Sequence, residues 1–177
     1  SEDLNRVLHR QLSPWFPDEF PPNSRLRFPG EDTMLYTNTI IECLRFVEEV
    51  HHGQYDKLGV PYVLHPVAVA EHMTTENEIL VALLHDVVED TSVTLDDLRD
   101  RGYSDEVVAA VDILTRRSGE PYSTYIERVS TNELARRVKL ADLQHNLQLD
   151  RVKLLGNDSL VKRYEKALRQ LSSVGME

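Results

Sequence analysis

The sequence predicts an all-α helical bundle. Helix starts and stops recur along it, with Ser, Thr, Asp or Asn ahead of apolar-periodic runs and Gly or Pro behind them. No convincing alternating strand, internal repeat or low-complexity tract interrupts that pattern. At 177 residues, 41% hydrophobic and 28% charged, the chain suits one soluble domain with a real core.

Residues 1–30 are read as an irregular arm. Pro14, Pro17, Pro21, Pro22 and Pro29 break any regular element, and Trp15, Phe16, Phe20 and Phe28 make it too aromatic for a flexible linker. The remaining 31–177 form the domain. Asp32 or Thr33 caps a first helix running to about His52, with Ile40, Ile41, Leu44, Phe46 and Val47 on its apolar face and Gly53 ending it. Pro66 opens a helix from Val67 to about Met73. A single helix over 77–90 follows, since no turn residue separates Ile79–Leu84 from the charged residues after it. Thr94 caps Leu95 to Arg101, ended by Gly102. Ser104 caps a helix through Leu114, and Pro121 starts one over Tyr122 to Val129. Asn132 or Thr131 caps a helix to about Leu147, and Asn157 or Ser159 precedes the last, to about Leu171.

Composition narrows the function. A formal net charge of −10 disfavours broad binding to nucleic acid polymers, which needs a basic face. No apolar stretch approaches the ~20 residues of a membrane helix, and Ser1-Glu2-Asp3-Leu4 does not read as a signal peptide. Cys43 is the only cysteine, so neither a disulfide nor a thiolate metal cage is expected, and a reducing cytoplasm fits.

His85-Asp86-Val87-Val88-Glu89-Asp90 carries the chemistry. It places four ionisable groups directly after the most apolar run of the chain. Residues four apart on a helix share a face, so His85 pairs with Glu89 and Asp86 with Asp90. The inner imidazole and carboxylate suit a divalent cation, and the outer two carboxylates suit proton transfer and water positioning. The alternative, a solvated end of an amphipathic helix, is weakened by the unbroken apolar run. His51 closes the first long helix, and Asp142 lies in the apolar Val138-Lys139-Leu140-Ala141-Asp142-Leu143, where an aspartate is costly. His51, His85, Asp86 and Asp142 make a mixed nitrogen–oxygen site that tolerates manganese, iron, zinc or cobalt. Lys139 shares the face of Asp142 and reaches either a phosphate or the carboxylates.

These residues resemble the H…HD…D pattern of the HD-domain metal-dependent phosphohydrolases. More narrowly, the chain resembles the hydrolase domain of the RelA/SpoT family, including its small stand-alone alarmone hydrolases. The motifs are His51-His52-Gly53-Gln54, then Gly59-Val60-Pro61-Tyr62-Val63-Leu64-His65-Pro66, then Leu83 to Thr91, then Lys139-Leu140-Ala141-Asp142-Leu143-Gln144-His145-Asn146, in family order over about residues 35–150. The resemblance implies an HD-domain helical bundle and one divalent cation, commonly Mn2+, on His51, His85, Asp86 and Asp142. It implies that Glu89 and Asp90 manage the attacking water and the leaving group's proton, and that Asn146 and Lys57 hold the nucleotide. The implied reaction removes pyrophosphate from the 3′ position of (p)ppGpp, and a chain of this length leaves only the hydrolase activity in view.

Two positions depart from the family. The stretch that commonly reads Arg-Lys-Ser is Asp56-Lys57-Leu58, and the Arg that commonly follows the metal Asp is Leu143. Both bear on base recognition. The alternatives are therefore a phosphohydrolase for another nucleotide, such as an NADPH 2′-phosphatase, or a catalytically idle domain that senses a nucleotide or binds a protein partner. His65 is read as a buried, hydrogen-bonded structural residue, and His9, His52 and His72 as surface residues. His145 either lines the pocket or packs. Arg116, Arg117, Arg136 and Arg137 are read as solvated helix ends. Tyr122 and Tyr125 are read as packing residues, with closure of the pocket over a base as the alternative.

Overall fold

A computed structural model of the chain describes residues 36–148 and 156–174. Within them run α1 (Asn38–Val50), α2 (Leu64–Ala70), α3 (Glu76–Leu84), α4 (Val87–Asp90), α5 (Leu95–Asp100), α6 (Asp105–Leu114), α7 (Tyr122–Ser130), α8 (Glu133–Asn146) and α9 (Asp158–Ser172). Among the described residues there is no strand, only an isolated bridge between Tyr55 and Pro61. The bundle is thus all-α, as expected. The aromatic arm expected over 1–30 lies outside the described residues. No helix of the described residues is long and apolar enough to cross a membrane.

Local side chains start these helices. Thr94 and Asp97 form a reciprocal capping box at α5, and Ser104, Asn132 and Asn157 each accept an amide N–H from the first turn of α6, α8 and α9. The cap of α1 is Thr37, not Asp32 or Thr33, because its hydroxyl accepts the Ile40 N–H at 3.2 Å. Helix α2 begins at Leu64, earlier than expected. The amides of Leu64 and His65 bond back to Pro61 and Tyr62, so Pro66 sits inside the first turn, where its missing N–H costs nothing. It also ends earlier, at Ala70. The amides of His72 and Met73 reach only three residues back, to Val69 and Ala70, which tightens the chain out of the helix.

The single helix expected over 77–90 is two. His85 and Asp86 separate α3 from α4. The cause is a side chain: His85 Nδ1 donates to the Ala82 carbonyl at 2.6 Å, the oxygen that a continuous helix would offer to the Asp86 amide. Beyond the break the turn resumes, with the Asp90 amide on the Asp86 carbonyl at 2.9 Å.

Helix α3 is the centre of the bundle. It packs against α1, α2, α6 and α8, and every residue from Glu78 to Leu84 is buried. Its one charged buried residue, Glu78, accepts from the amides of Thr74 and Thr75 and from the Thr74 hydroxyl, and pairs with Arg137 of α8. Burial works against the ionised carboxylate, but those donors outweigh it and hold Glu78 below its ordinary value near 4.5. A lowered folded-state value gives stability that is present above the unfolded value and lost as pH falls through the folded one. Glu78→Gln is therefore expected to lower stability by about 1–3 kcal/mol at pH 7, with the gap to wild type closing at pH 3. Urea melts at the two pH values measure it, and an equal gap at both would reject the ionic contribution.

Candidate active site

The break after α3 sets the site. It sets His85 and Asp86 at the buried end of α3, while α8 brings Asp142 alongside. His51 at the end of α1, His85 and Asp142 are all buried, and Asp86 is half-buried. Two imidazoles show the same arrangement. His51 Nδ1 is engaged by Gln54 Oε1 at 2.7 Å and His85 Nδ1 by the Ala82 carbonyl, and both Nε2 atoms are buried without a hydrogen-bond partner. With Nδ1 held in this way, Nε2 is the ring nitrogen left to face the site. That is the orientation a metal-binding histidine takes when its other nitrogen is held from behind.

Around these nitrogens stand carboxylates. Asp86 Oδ2 lies 3.0 Å from His85 Nε2 and 3.7 Å from His65 Nε2, and it accepts the Tyr62 hydroxyl at 2.5 Å. Asp142 Oδ1 lies 3.1 Å from His65 Nε2 and accepts from Asn146 Nδ2 at 2.6 Å, while Oδ2 pairs with Lys139 at 2.6 Å. Among the described residues, the group whose ligand atoms all fall within 4.8 Å of one another is His65, His85 and Asp142. Those three could hold a divalent cation. Asp86 adjoins them through Oδ2, and His51 stands outside that tight group.

The electrostatics follow from this crowding. Burial alone would push His85 down, but the Asp86 and Asp142 carboxylates push it up to about 9. Burial likewise opposes ionised Asp142, yet Lys139 and the histidines hold it well below the usual carboxylate range. Lys139 is half-buried, and Asp142 more than offsets that desolvation to hold its ammonium. The group of His85, Asp86 and Asp142 therefore favours positive charge, which a divalent cation would supply. The orphaned nitrogens and the mixed nitrogen–oxygen donors fit such an ion.

These groups open on a cavity of about 470 Å³, lined by Asp86, Glu89, Asp90, Lys57, Lys139, Asp142 and Asn146 among others. Glu89 is exposed, with Oε2 accepting the Arg116 amide at 2.9 Å. Asp90 is raised above its ordinary value, first by burial and then by the nearby Asp86 charge, while the Tyr62 hydroxyl works the other way. Of the sequence-predicted residues, Lys139 and Asn146 line the cavity and at the same time donate to Asp142. Lys57 is exposed on the 55–60 loop.

Sequence reasoning missed some members. His65 is buried and hydrogen-bonded to His145, Nδ1 to Nδ1 at 2.8 Å, as expected of a structural residue, yet its other nitrogen faces both aspartates. Tyr62 was also missed, although its Gly-Val-Pro-Tyr loop marked it. Tyr122 and Tyr125 line the cavity, and so does Arg116. Arg117 pairs with Asp112, Arg137 with Glu78, and Arg136 donates to the Leu171 and Val174 carbonyls, so these are more than solvated helix ends. Asp56 lines the cavity as well. Its carboxylate closes its own loop, accepting the amides of Leu58 at 2.8 Å and Val60 at 3.0 Å.

No family model matches this chain. Its similarity to curated proteins is informative. The zebrafish (Danio rerio) guanosine-3′,5′-bis(diphosphate) 3′-pyrophosphohydrolase MESH1 is 33% identical over 125 residues, covering 63% of this chain and 69% of that protein. A GTP pyrophosphokinase of Streptomyces coelicolor is 35% identical over 135 residues, 67% of this chain but 16% of its own length. A guanosine-3′,5′-bis(diphosphate) 3′-pyrophosphohydrolase of Borreliella burgdorferi is 32% identical over 82 residues, 44% of this chain and 12% of its own length. The chain thus spans less than a fifth of these two longer relatives. Among solved structures, a metazoan ortholog of SpoT described as hydrolysing ppGpp superposes with a TM-score of 0.58 at 23% identity, over 78% of this chain and 98% of that one. That likeness shows the shared fold.

Proposed function

The chain belongs to the HD-type guanosine-3′,5′-bis(diphosphate) 3′-pyrophosphohydrolase family, and on that premise we propose that it is a metal-dependent hydrolase of (p)ppGpp. The observation that carries this reading is the pair of buried imidazoles, each with Nδ1 held and Nε2 unpartnered, beside two carboxylates at the floor of a cavity. A structural helix end has no use for two such orphaned nitrogens.

His51, His85, Asp86 and Asp142 would hold one divalent cation, most simply Mn2+, with His65 adjoining them. When bound, that ion polarises the phosphoryl group and lowers the pKa of water. Glu89 accepts a proton from the attacking water at its carboxylate. Asp90, raised toward its protonated form, gives a proton to the 3′-oxygen as the bond between that oxygen and phosphorus breaks and pyrophosphate leaves. Lys139 and Asn146 keep Asp142 ionised and aimed, and Lys57 reaches the nucleotide from the loop. The domain is residues 31–177, working in the cytoplasm on a small phosphorylated nucleotide, a compartment suited to the single buried thiol of Cys43.

A second reading has its own support. With Asp56 consumed in its loop, no guanidinium stands there to select a guanine, so another phosphorylated nucleotide, such as NADPH, is the competing substrate. One panel separates them. Wild-type protein with manganese is given ppGpp and NADPH, and pyrophosphate and orthophosphate are measured separately. Pyrophosphate from ppGpp is expected. Orthophosphate from NADPH alone would move the assignment to the second reading, and neither product would leave an idle sensing domain.

A further inference from the structure

The His51-His52-Gly53-Gln54 turn carries a residue that the chemistry above leaves unused. Gln54 is half-buried and does not line the cavity, although its neighbour Tyr55 does. Both of its backbone groups and both ends of its side-chain amide are engaged. Its N–H donates to the His51 carbonyl at 3.0 Å, and its own carbonyl accepts the Tyr62 amide at 3.0 Å. Its Oε1 meets His51 Nδ1 at 2.7 Å, and its Nε2 donates to the Asp90 carbonyl at 3.1 Å. Gly53, at φ 76°, supplies the turn that folds Gln54 back onto His51. One glutamine outside the cavity thus joins His51, Tyr62 and Asp90.

The Asp90 end is where this contact matters. Helix α4 has four residues, too few to hold a helix by themselves. Its last carbonyls have no partner inside the helix and need a donor from elsewhere. Asp86, ahead of α4, is fixed by the Tyr62 hydroxyl, and Glu89 by the Arg116 amide, in each case through the carboxylate. Asp90 is fixed through its backbone instead, by a side chain 36 positions away. Its carboxylate belongs to the cavity wall. A backbone tether sets where a carboxylate stands and uses none of its oxygens.

We propose that Gln54 is a positioning residue: it fixes the Asp90 end of α4, and with it the reach of the Asp90 carboxylate to the 3′-oxygen, without touching the nucleotide. The inference rests on the reaction proposed above. A displacement of about 1 Å in a reacting group can cost about 10²-fold in rate. The tether therefore acts on turnover and not on substrate binding.

The test uses the full chain with manganese and ppGpp, at a temperature where every variant is folded. Gln54→Met removes both side-chain bonds and keeps both backbone ones, so the turn stays closed. Its turnover number is expected to fall about 10–100-fold, with KM within about twofold of wild type. Gln54→Glu keeps an acceptor for His51 and loses the donor to Asp90, and it is expected to fall as far. In an Asp90→Asn background, Gln54→Met is expected to cost less than about twofold more, because residues acting through one another are not additive. A second readout needs neither substrate nor metal. The amides of Asp90 and Thr91 close the last turn of α4, and in EDTA they are expected to exchange hydrogen at least about tenfold faster in Gln54→Met, with the amides of α3 unchanged.

Wild-type turnover in Gln54→Glu would overturn the proposal, as would the same loss repeated in the Asp90→Asn background. A raised KM at unchanged turnover number would place Gln54 in binding and overturn it too. Unchanged exchange in α4, or faster exchange in α3 as well, would leave Gln54 without this role. Failure of wild type to cleave ppGpp would sink the proposed reaction instead, and the exchange rates would still decide whether Gln54 holds α4.

Discussion

Asp86→Ala is expected to lose its bound cation and all measurable turnover together. Asp86 Oδ2 is the point where His85, His65 and Tyr62 converge, so its removal leaves Asp142 as the one carboxylate beside the two histidine nitrogens. Partners that merely support metal ligands typically account for 10–100-fold in affinity, and a ligand should exceed that. The cleanest measurement is thermal. A cation at about 100 times its Kd stabilises a folded protein by about 2.7 kcal/mol, so manganese should raise the melting temperature of wild type and leave that of Asp86→Ala where it is. An undiminished manganese shift in the variant would reject Asp86 as a ligand, whatever its activity.

The second large effect is on the outer pair. Glu89→Gln and Asp90→Asn are expected to keep the manganese-induced melting shift while each losing about 10²–10⁴-fold in turnover, the usual contribution of a general acid or base. Both substitutions preserve shape, so the Arg116 amide keeps an acceptor at position 89 and the Gln54 amide keeps the Asp90 backbone carbonyl. The two measurements separate chemistry from metal retention. Near wild-type rates in both variants on the true substrate would remove these residues from the mechanism, and loss of the melting shift would reassign them to the cation.

What the sequence made legible was local. Thr94, Ser104, Asn132 and Asn157 cap helices through contacts that span three residues, so the start of each of those helices is visible in the order of its residues. The ligand candidates were legible for a different reason: a histidine or aspartate inside an apolar helix needs explaining wherever it occurs. The rest depended on contacts that spacing does not encode. The division of 77–90 into two helices comes from one imidazole competing with a backbone amide. The place of His65 among the aspartates depends on α2 lying against α8, which brings together residues far apart in the chain. Asp56 misled for the same reason. Its residue type suggested only a change in base recognition, whereas one of its carboxylate oxygens also closes its own turn on two amides.

Because His85 ends a helix in which every residue from Glu78 to Leu84 is buried, the histidine side of the proposed site has no soft edge. An active site carried on a surface loop can fray, be clipped by a protease or drift out of alignment while the domain stays folded. Here α3 cannot loosen without opening the contacts of α1, α2, α6 and α8 at once. The lifetime of the proposed site is therefore the lifetime of the folded state, and substitutions deep in α3 are expected to act on any activity through the fraction of molecules that are folded.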